Sequence, residues 1–225
     1  MVTDVRPAGI RPRPRIPGRR VDRVVVLGVS LAIAAVLALV AAQCIDAVVL
    51  DLRVRALDSD THRSVFGVIS LLAQAGAVLV VGIRCLSVRR RGPWMLLDVL
   101  IAALLIVRAL LPDQPVAFVA AVAAAFVLFW RLTSDDHRPA RNVLRVGLFG
   151  LALSFVVHIV GPPIVDGIGY RYGSWAYELM GICKHSTELG GWILVSTGVI
   201  AGWYATLPPA PRRVNAPLRE GHSAA

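Results

Sequence analysis

The fold is decided by residues 24–42, which read VVVLGVSLAIAAVLALVAA and contain no charged side chain. At a rise of 1.5 Å per residue, a helix needs about 20 apolar residues to cross a hydrocarbon layer ~30 Å thick. A cleaved signal peptide normally has an apolar region of only about 7–15 residues. The run therefore predicts a retained transmembrane helix.

The composition of the whole chain agrees with this interpretation. Of the 225 residues, 56% are apolar and 17% are charged, and the mean hydropathy is +0.68. Soluble domains average about 45–50% apolar and about 25% charged residues. The composition excludes a disordered chain, a collagen-like chain and a disulfide-stapled secreted domain. Three cysteines without a C-x-x-C spacing also exclude the usual zinc-finger motifs.

Five more apolar runs follow and predict an all-α protein, a six-transmembrane-helix bundle. The predicted spans are approximately 24–42, 64–86, 94–111, 116–132, 143–160 and 189–207. The fifth span is expected to stop at Gly161-Pro162-Pro163, because proline removes a helix donor. The sixth span has two possible starts, and the earlier one is near Trp175. Residues 1–23 and 208–225 are expected to be a disordered arm and tail.

The basic residues indicate the orientation of the spans. The net charge is +10, and the chain has 23 arginines and one lysine, Lys184. Eighteen of these residues lie before span one, after span six, or in the connections between spans two and three and between spans four and five together with the adjoining span ends. Five lie in the other connections, and Arg108 lies inside span three. Because basic loops stay in the cytoplasm, both termini are predicted to be cytoplasmic, in the inner membrane of a bacterium.

The same arginine clusters constrain the partners. They alternate with apolar runs instead of following one face, which argues against nucleic acid. The expected partners are the lipid bilayer and its anionic headgroups, to which each basic residue near the surface contributes about 1 kcal/mol. A homo- or hetero-oligomer is left open.

Small residues at helical spacing predict where the helices pack. Lipid is as apolar as leucine, so association depends on close approach. One face of span five carries Gly147, Gly150, Ser154 and His158. One face of span two carries Gly67, Ser70, Gln74 and Ala77. Span six carries the pair Gly198 and Gly202. We expect these seams to face inward in one compact bundle. Dimerisation through the pair in span six is the alternative.

Ionisable residues toward the outer leaflet are the one functional signal in the sequence. Such residues are costly at membrane depth and are usually buried in the bundle or paired. Four predicted spans bring them to a similar depth: Asp46, Arg108, His158, Glu178, Lys184, His185 and Glu188. We therefore expect a polar site near the outer leaflet.

Two interpretations of this group involve a cofactor. A metal site would use His158 and His185 with a carboxylate such as Glu188, Glu178 or Asp46. A haem with two histidine ligands would use His158 and His185. The spacing of His185 and Glu188 matches neither the zinc-protease motif nor the di-iron motif, so no metal or cofactor is assigned.

Two further interpretations need no cofactor. A proton or anion pathway would use Arg108 with Glu188, Asp46 and the histidines. In the structural interpretation, which is the expected one, Lys184 pairs with Glu188, and Arg108 pairs with Asp46 or Glu188. Charges near the loops can also reach water along their own side chains.

Other acidic and cysteine positions are expected to be structural. Asp98 is placed in the first turn of span three, where a carboxylate complements the helix dipole. The stretch Asp135-Asp136-His137 could hold a metal but is expected to be a solvated turn. Cys44 and Cys183 fall on the predicted outer side, and a disulfide between them requires Cα atoms within about 7 Å.

No catalytic motif accompanies these features. The sequence has no Gly-x-Ser-x-Gly, P-loop, dinucleotide fingerprint or His-Glu-x-x-His. The longest predicted outer loop, 163–188, is too short for an enzyme domain. We expect a non-enzymatic binding, transport or assembly component. The alternative is a membrane enzyme or redox protein with a metal or haem at His158, His185 and Glu188.

Overall fold

Six α-helices make up the described part of the chain. The computed structural model describes residues 18–49, 65–88, 91–110, 115–169 and 174–207, and none of these residues is in a β-strand. The helices are α1 (Gly18–Val49), α2 (Val65–Ser87), α3 (Arg91–Leu110), α4 (Pro115–Leu132), α5 (Arg138–Gly167) and α6 (Trp175–Thr206). The all-helical prediction is confirmed. The predicted tail, most of the predicted arm and the remaining connections lie outside the described residues.

Four of these helices, α1, α2, α5 and α6, are long and apolar enough to cross a membrane. With 32 residues, α6 extends about 48 Å, well beyond the ~30 Å of a hydrocarbon layer. The helices α3 and α4 are shorter, with 20 and 18 residues. Large apolar side chains such as Leu27, Leu72 and Phe149 are exposed on the outer faces, as expected where lipid is the solvent. The molecule is a membrane-embedded helical protein.

The end of α5 differs from the prediction. The helix continues through Pro162 and Pro163 to Gly167, although a proline in a helix interior normally costs about 3 kcal/mol. The continuation packs on α6: Gly161 lies against the side chain of Met180. The expected stop at residue 161 is wrong, because contacts between the two extended helices outweigh the local preference of the prolines.

The other helix bounds also change the context of the polar residues. The helix α6 is continuous from Trp175, the earlier of its two possible starts. The helix α1 begins at Gly18, inside the segment expected to be a disordered arm. The predicted outer loop 163–188 is therefore largely helical, and Glu178, His185 and Glu188 all lie on α6.

The central helix of the bundle is α6. The helices α1, α2 and α5 each pack along it, α3 packs on α2, and α4 packs on α3. Because α5 and α6 run antiparallel, Gly198 meets Leu144 at one end and Gly161 meets Met180 toward the other. We call the two ends of the bundle the Trp175 end, where α6 starts, and the Arg138 end, where α5 starts.

Glycines allow α5 and α6 to approach closely. A Cβ atom on Gly147 would lie 2.7 Å from the backbone nitrogen of Val195 and 2.8 Å from the carbonyl oxygen of Gly191. A Cβ atom on Gly198 would lie 2.9 Å from the carbonyl oxygen of Ala140. These neighbours are backbone atoms, so they cannot rotate away. The small residues on these two helices are therefore required by their packing.

The main apolar core lies between the middle of α6 and the Arg138 end. It is built from α2, α3, α4, α5 and α6. Its most deeply buried members are Val81, Leu97, Ile101, Phe129, Leu144, Val195 and Val199. This half of the bundle is close-packed, and its buried polar groups include an ion pair described below, the hydroxyls of Thr133 and Thr197, and Oδ1 of Asp98.

Candidate functional site

Seven buried polar residues are described in the half of the bundle nearer the Trp175 end; one is Ser154 of α5, and we call the other six the polar track. They are Gln43 and Asp46 of α1, Ser70 and Gln74 of α2, and His185 and Glu188 of α6. Each is at most 9% exposed. Polar residues are rarely buried so completely unless they are paired, so the track requires a physical account.

The contacts between α2 and α6 set the depth of two track residues. The Arg84 guanidinium donates a hydrogen bond to the carbonyl oxygen of Val199, with a nitrogen–oxygen distance of 3.2 Å. The two helices run parallel, so residues equally far from this contact lie at equal depth. Ser70 and His185 both lie fourteen residues before it. Ser70 is therefore within about one turn of the level of His185, and Gln74 lies one turn deeper.

The contacts between α1 and α6 set the depth of the others. These helices run antiparallel, and a Cβ atom on Gly190 would lie 3.3 Å from the side chain of Val36. Gln43 lies seven residues beyond Val36 and is therefore level with Cys183, less than a turn from His185. Asp46 lies about one turn nearer the Trp175 end. The track thus runs inward over roughly 12 Å, from Asp46 to the level of Glu188.

The deepest carboxylate of the track is close to its histidine. Nδ1 of His185 lies 3.9 Å from Oε2 of Glu188. The helix α5 is tied to α6 at the same level, because the Ser154 hydroxyl donates a hydrogen bond of 2.9 Å to the carbonyl oxygen of Lys184. The inner part of the track is therefore bounded by α2, α5 and α6.

Several polar atoms of the track have no hydrogen-bond partner among the described residues. They are both amide atoms of Gln43, Oδ1 of Asp46, the hydroxyl of Ser70 and Oε1 of Gln74. The side chains of Gln43, Ser70 and Gln74 belong to residues that are 3%, 1% and 2% exposed. An unsatisfied polar group in such a place costs roughly 1–3 kcal/mol. This arrangement fits a site that receives a small polar guest.

Of the seven residues that the sequence grouped, the structure places His185 beside Glu188, at 3.9 Å, and buries Asp46 on α1, roughly 12 Å from the level of Glu188. Glu178 lies in the first turn of α6 and is half-buried, as is Lys184. His158 lies on α5 and is exposed. The group predicted from charge alone is thus only partly the group that the fold assembles.

Arg108 lies on α3, opposite the track-bearing half of α2. These helices run antiparallel, and Asp98 of α3 faces Gly82 of α2, with Oδ2 of Asp98 3.1 Å from the position of a glycine Cβ. Counting ten residues from this contact places the backbone of Arg108 level with Leu72, between Ser70 and Gln74. The side chain of Arg108 lies outside the described residues.

The interpretations that require a cofactor gain no support from this geometry. In the described ranges, no group of three His, Cys, Asp or Glu side chains is close enough to hold a metal ion. A haem with two axial histidines needs both rings to face one space, yet His158 is exposed and His185 is buried. The combination of His158, His185 and Glu188 is not assembled as a ligand set.

Sequence reasoning missed three track residues as functional candidates, and the reason is chemical. Gln43, Ser70 and Gln74 carry no charge, so a search for ionisable groups passes over them. Ser70 and Gln74 were identified only as members of a packing seam. A polar side chain within such a seam is the signal that could have revealed them.

The cysteines are free thiols. Cys44 and Cys183 are exposed and Cys85 is buried, so the possible disulfide between Cys44 and Cys183 is not formed in this structure. The face of α1 that packs inward carries Gln43 and Asp46. Cys44 is rotated by about 100° from Gln43 on the helix and lies outside that face.

A buried ion pair lies at the Arg138 end. Nη2 of Arg84 is 2.6 Å from Oδ1 of Asp136, and both side chains are nearly buried. The Arg84 guanidinium also lies over the ring of Trp94, 4.3 Å from its centre. The prediction that Asp136 belongs to a solvated turn is wrong, because the carboxylate pairs with an arginine on another helix. Arg84 itself lies in the last turn of α2 and not in a connection.

A further prediction is corrected near this end, and the expected inward packing of Gly198 and Gly202 is seen there. Asp98 lies seven residues after the start of α3, so it faces α2 and does not cap the first turn. Gly202 makes room for the ion pair, since a Cβ atom there would lie 2.5 Å from Oδ2 of Asp136 and 2.6 Å from Nη1 of Arg84. Gly198 and Gly202 are therefore both used in packing within the molecule.

Apolar side chains separate the track from this ion pair. They include Ala77 and Val81 of α2 and Trp192, Val195 and Val199 of α6, all of them buried. The polar track thus ends at Gln74 and Glu188, and the described part of the bundle is closed beyond them. The arrangement defines a class: a helical membrane protein with a polar site buried in one half of the bundle.

Comparison of the chain with protein-family models, with characterised proteins and with solved structures gives no match.

Proposed function

We propose that this protein is a non-enzymatic membrane component that takes a small polar solute into the polar track from the Trp175 end, as part of binding or transport. The observation that carries this proposal is the set of orphaned polar atoms on Gln43, Asp46, Ser70 and Gln74. Three of these residues are uncharged, so ion pairing within the bundle does not satisfy them. A guest that both donates and accepts hydrogen bonds satisfies these atoms.

These polar atoms need a guest because the membrane supplies no bulk water to bind them. Around a membrane bundle there is no bulk water to satisfy polar groups that face the interior. Such groups are retained where they line a polar cavity or pathway. Ordered water, which makes about three hydrogen bonds per molecule, is the simplest guest and would connect the track to the aqueous phase.

The proposed topology has six spans with both termini in the cytoplasm, so the Trp175 end faces outward. This topology is supported by the distribution of basic residues, since cytoplasmic segments are enriched in arginine. The arginines near the Arg138 end whose side chains the structure describes are Arg20, Arg23, Arg84, Arg91, Arg131, Arg138, Arg141 and Arg145. We propose that the exposed members of this set bind anionic lipid headgroups of the inner membrane.

Cysteine accessibility tests the proposal. In a variant with Cys44→Ser, Cys85→Ala and Cys183→Ser, one adds Ser70→Cys, and in a matched variant Ala77→Cys. Both new cysteines lie on the buried face of α2, but only Ser70 belongs to the track. A charged, membrane-impermeant methanethiosulfonate applied from the outside is expected to modify Ser70→Cys and leave Ala77→Cys unmodified.

The comparison is decisive because the two positions differ in depth by two turns of one helix. Thermal unfolding and size-exclusion profiles verify that both variants keep the native fold. Equal failure of both cysteines to react would mean that water does not reach the track, and the proposed function would then be wrong. Equal reaction of both would show a loose bundle without a defined site.

A further inference from the structure

We infer that the polar track selects small cations over anions, with its binding point at the level of Gln74 and Glu188. This inference rests on the proposed function, because it names the class of solute that the same track would take. The ligand class is a monovalent cation, either a hydrated alkali ion or a proton carried by water.

The first argument is the chemistry of the orphaned atoms. Four of the five are oxygens, contributed by Gln43, Asp46, Ser70 and Gln74, and only the amide nitrogen of Gln43 is an obligatory donor. Carboxylate, amide and hydroxyl oxygens are the ligands that hard cations prefer. The donors on Gln43, Gln74 and Ser70 are uncharged groups, so they do not neutralise an anion beside Asp46 and Glu188.

The second argument is the sign of the charge along the track. Asp46 of α1 lies in the outer part of the polar track. Glu188 of α6 lies at the inner end of the track, roughly 12 Å further along the bundle axis. Both residues are buried, at 3% and 9% exposure. Low-dielectric walls strengthen the field of such carboxylates and raise the local concentration of counter-ions by about 10-fold or more.

Other ionisable groups near the track also contribute to the electrostatic field of Asp46 and Glu188. The helix α6 contributes His185 and Lys184, and the Glu178 carboxylate lies further out on the same helix. The helix α5 contributes His158, which is exposed. Arg108 of α3 lies at the same level, behind α2. Of these, Arg108 is the group that could reverse the selectivity, so it has its own variant in the test.

The third argument is the closed inner end. Beyond Gln74 and Glu188 most of the buried side chains up to the ion pair of Arg84 and Asp136 are apolar, and the exceptions include Thr197 and Asp98. A cation that enters from the Trp175 end therefore stops beside Glu188. This position combines the Glu188 carboxylate with Oε1 of Gln74, which has no hydrogen-bond partner among the described residues.

The test uses the Ser70→Cys protein with two methanethiosulfonates of similar size, one cationic (trimethylammonium) and one anionic (sulfonate). Each rate is divided by the rate of the same reagent with a free thiol in solution. The cationic reagent is expected to react about tenfold faster. Adding Glu188→Gln should lower this ratio at least threefold, whereas Asp135→Asn, an exposed carboxylate at the Arg138 end, should leave the ratio unchanged.

The outcomes separate the inference from the proposed function. If neither reagent reacts, the proposed function fails. If both react and the ratio is near one, or if the anionic reagent is faster, the track exists but its cation selectivity is overturned. A preference for the anionic reagent that Arg108→Gln removes would assign the track to anions.

A second measurement identifies the cation. The melting temperature of the wild-type protein is compared in NaCl, KCl and choline chloride at one ionic strength, because a ligand that binds only the folded state stabilises it. An increase in NaCl or KCl that is lost in Glu188→Gln identifies an alkali cation. Equal melting temperatures in all three salts would contradict binding of an alkali cation in the track.

Discussion

Gln74 illustrates how much a single uncharged side chain can reveal inside a membrane bundle. Its Oε1 atom is buried and has no hydrogen-bond partner among the described residues. Leucine has a similar volume and needs no partner. Replacing an unsatisfied buried polar group by an apolar group of similar shape is nearly neutral or stabilising, whereas removing a satisfied one is not.

We therefore predict that Gln74→Leu leaves the free energy of unfolding nearly unchanged, because leucine loses the bonds to the guest but needs no partner, while it slows the modification of Ser70→Cys. The measurement is thermal unfolding in detergent. The control is Thr133→Val, since the Thr133 hydroxyl is buried but donates a hydrogen bond of 2.6 Å to the carbonyl oxygen of Phe129. A loss of stability in Gln74→Leu as large as that in Thr133→Val would contradict the account of the track.

At the scale of elements, the α5–α6 pair controls the width of the bundle. Gly147 lies against the backbone of Val195 and Gly191, and Gly150 and Ser154 continue the same contact toward the Trp175 end. The position of the polar track depends on the distance between α5 and α6, because His185 and Glu188 of the track lie on α6.

We predict that Gly147→Ala lowers the free energy of unfolding by about 1–3 kcal/mol, the usual cost of overpacking. Gly76→Ala is the control, because a Cβ atom on Gly76 has nothing within 4 Å. Alanine favours a helix over glycine by about 1 kcal/mol, so the control should be neutral or stabilising. Thermal unfolding of both variants measures the difference, and equal effects would show that the helices are not in close contact.

The elements also show what the sequence could and could not predict. Long apolar runs predicted all six helices, because in lipid the apolar pattern depends on the solvent and little on tertiary contacts. The end of α5 was missed, since the preference of Pro162 and Pro163 is local whereas the contact between Gly161 and Met180 joins two helices. The role of Asp136 was missed for a similar reason: its partner, Arg84, is 52 residues away in the sequence.

At the scale of the whole molecule, charge is segregated between the two ends of the bundle. The basic residues near the Arg138 end include Arg145, whose guanidinium lies 4.2 Å from the ring centre of Trp130. Arginine and tryptophan together are typical of a membrane–water interface. This asymmetry is the basis of the proposed topology, including the assignment of α3 and α4 as spans.

Reporter fusions test that topology. With six spans, green fluorescent protein fused to either terminus should fluoresce, and alkaline phosphatase fused there should be inactive. A phosphatase fused after Leu110, between α3 and α4, should be active because this connection would lie outside. An inactive phosphatase at this position, with cytoplasmic termini, would mean that only the four longest helices cross the membrane.

The central position of α6 has a consequence for biosynthesis. The helices α1, α2 and α5 all pack along α6, yet α6 is the last of the six to leave the ribosome. Earlier helices must then remain in the lipid without their main partner until translation passes residue 206. A message truncated before Trp175 would yield inserted but unassembled helices, with polar seams facing lipid, which the quality-control proteases of the cell are suited to remove.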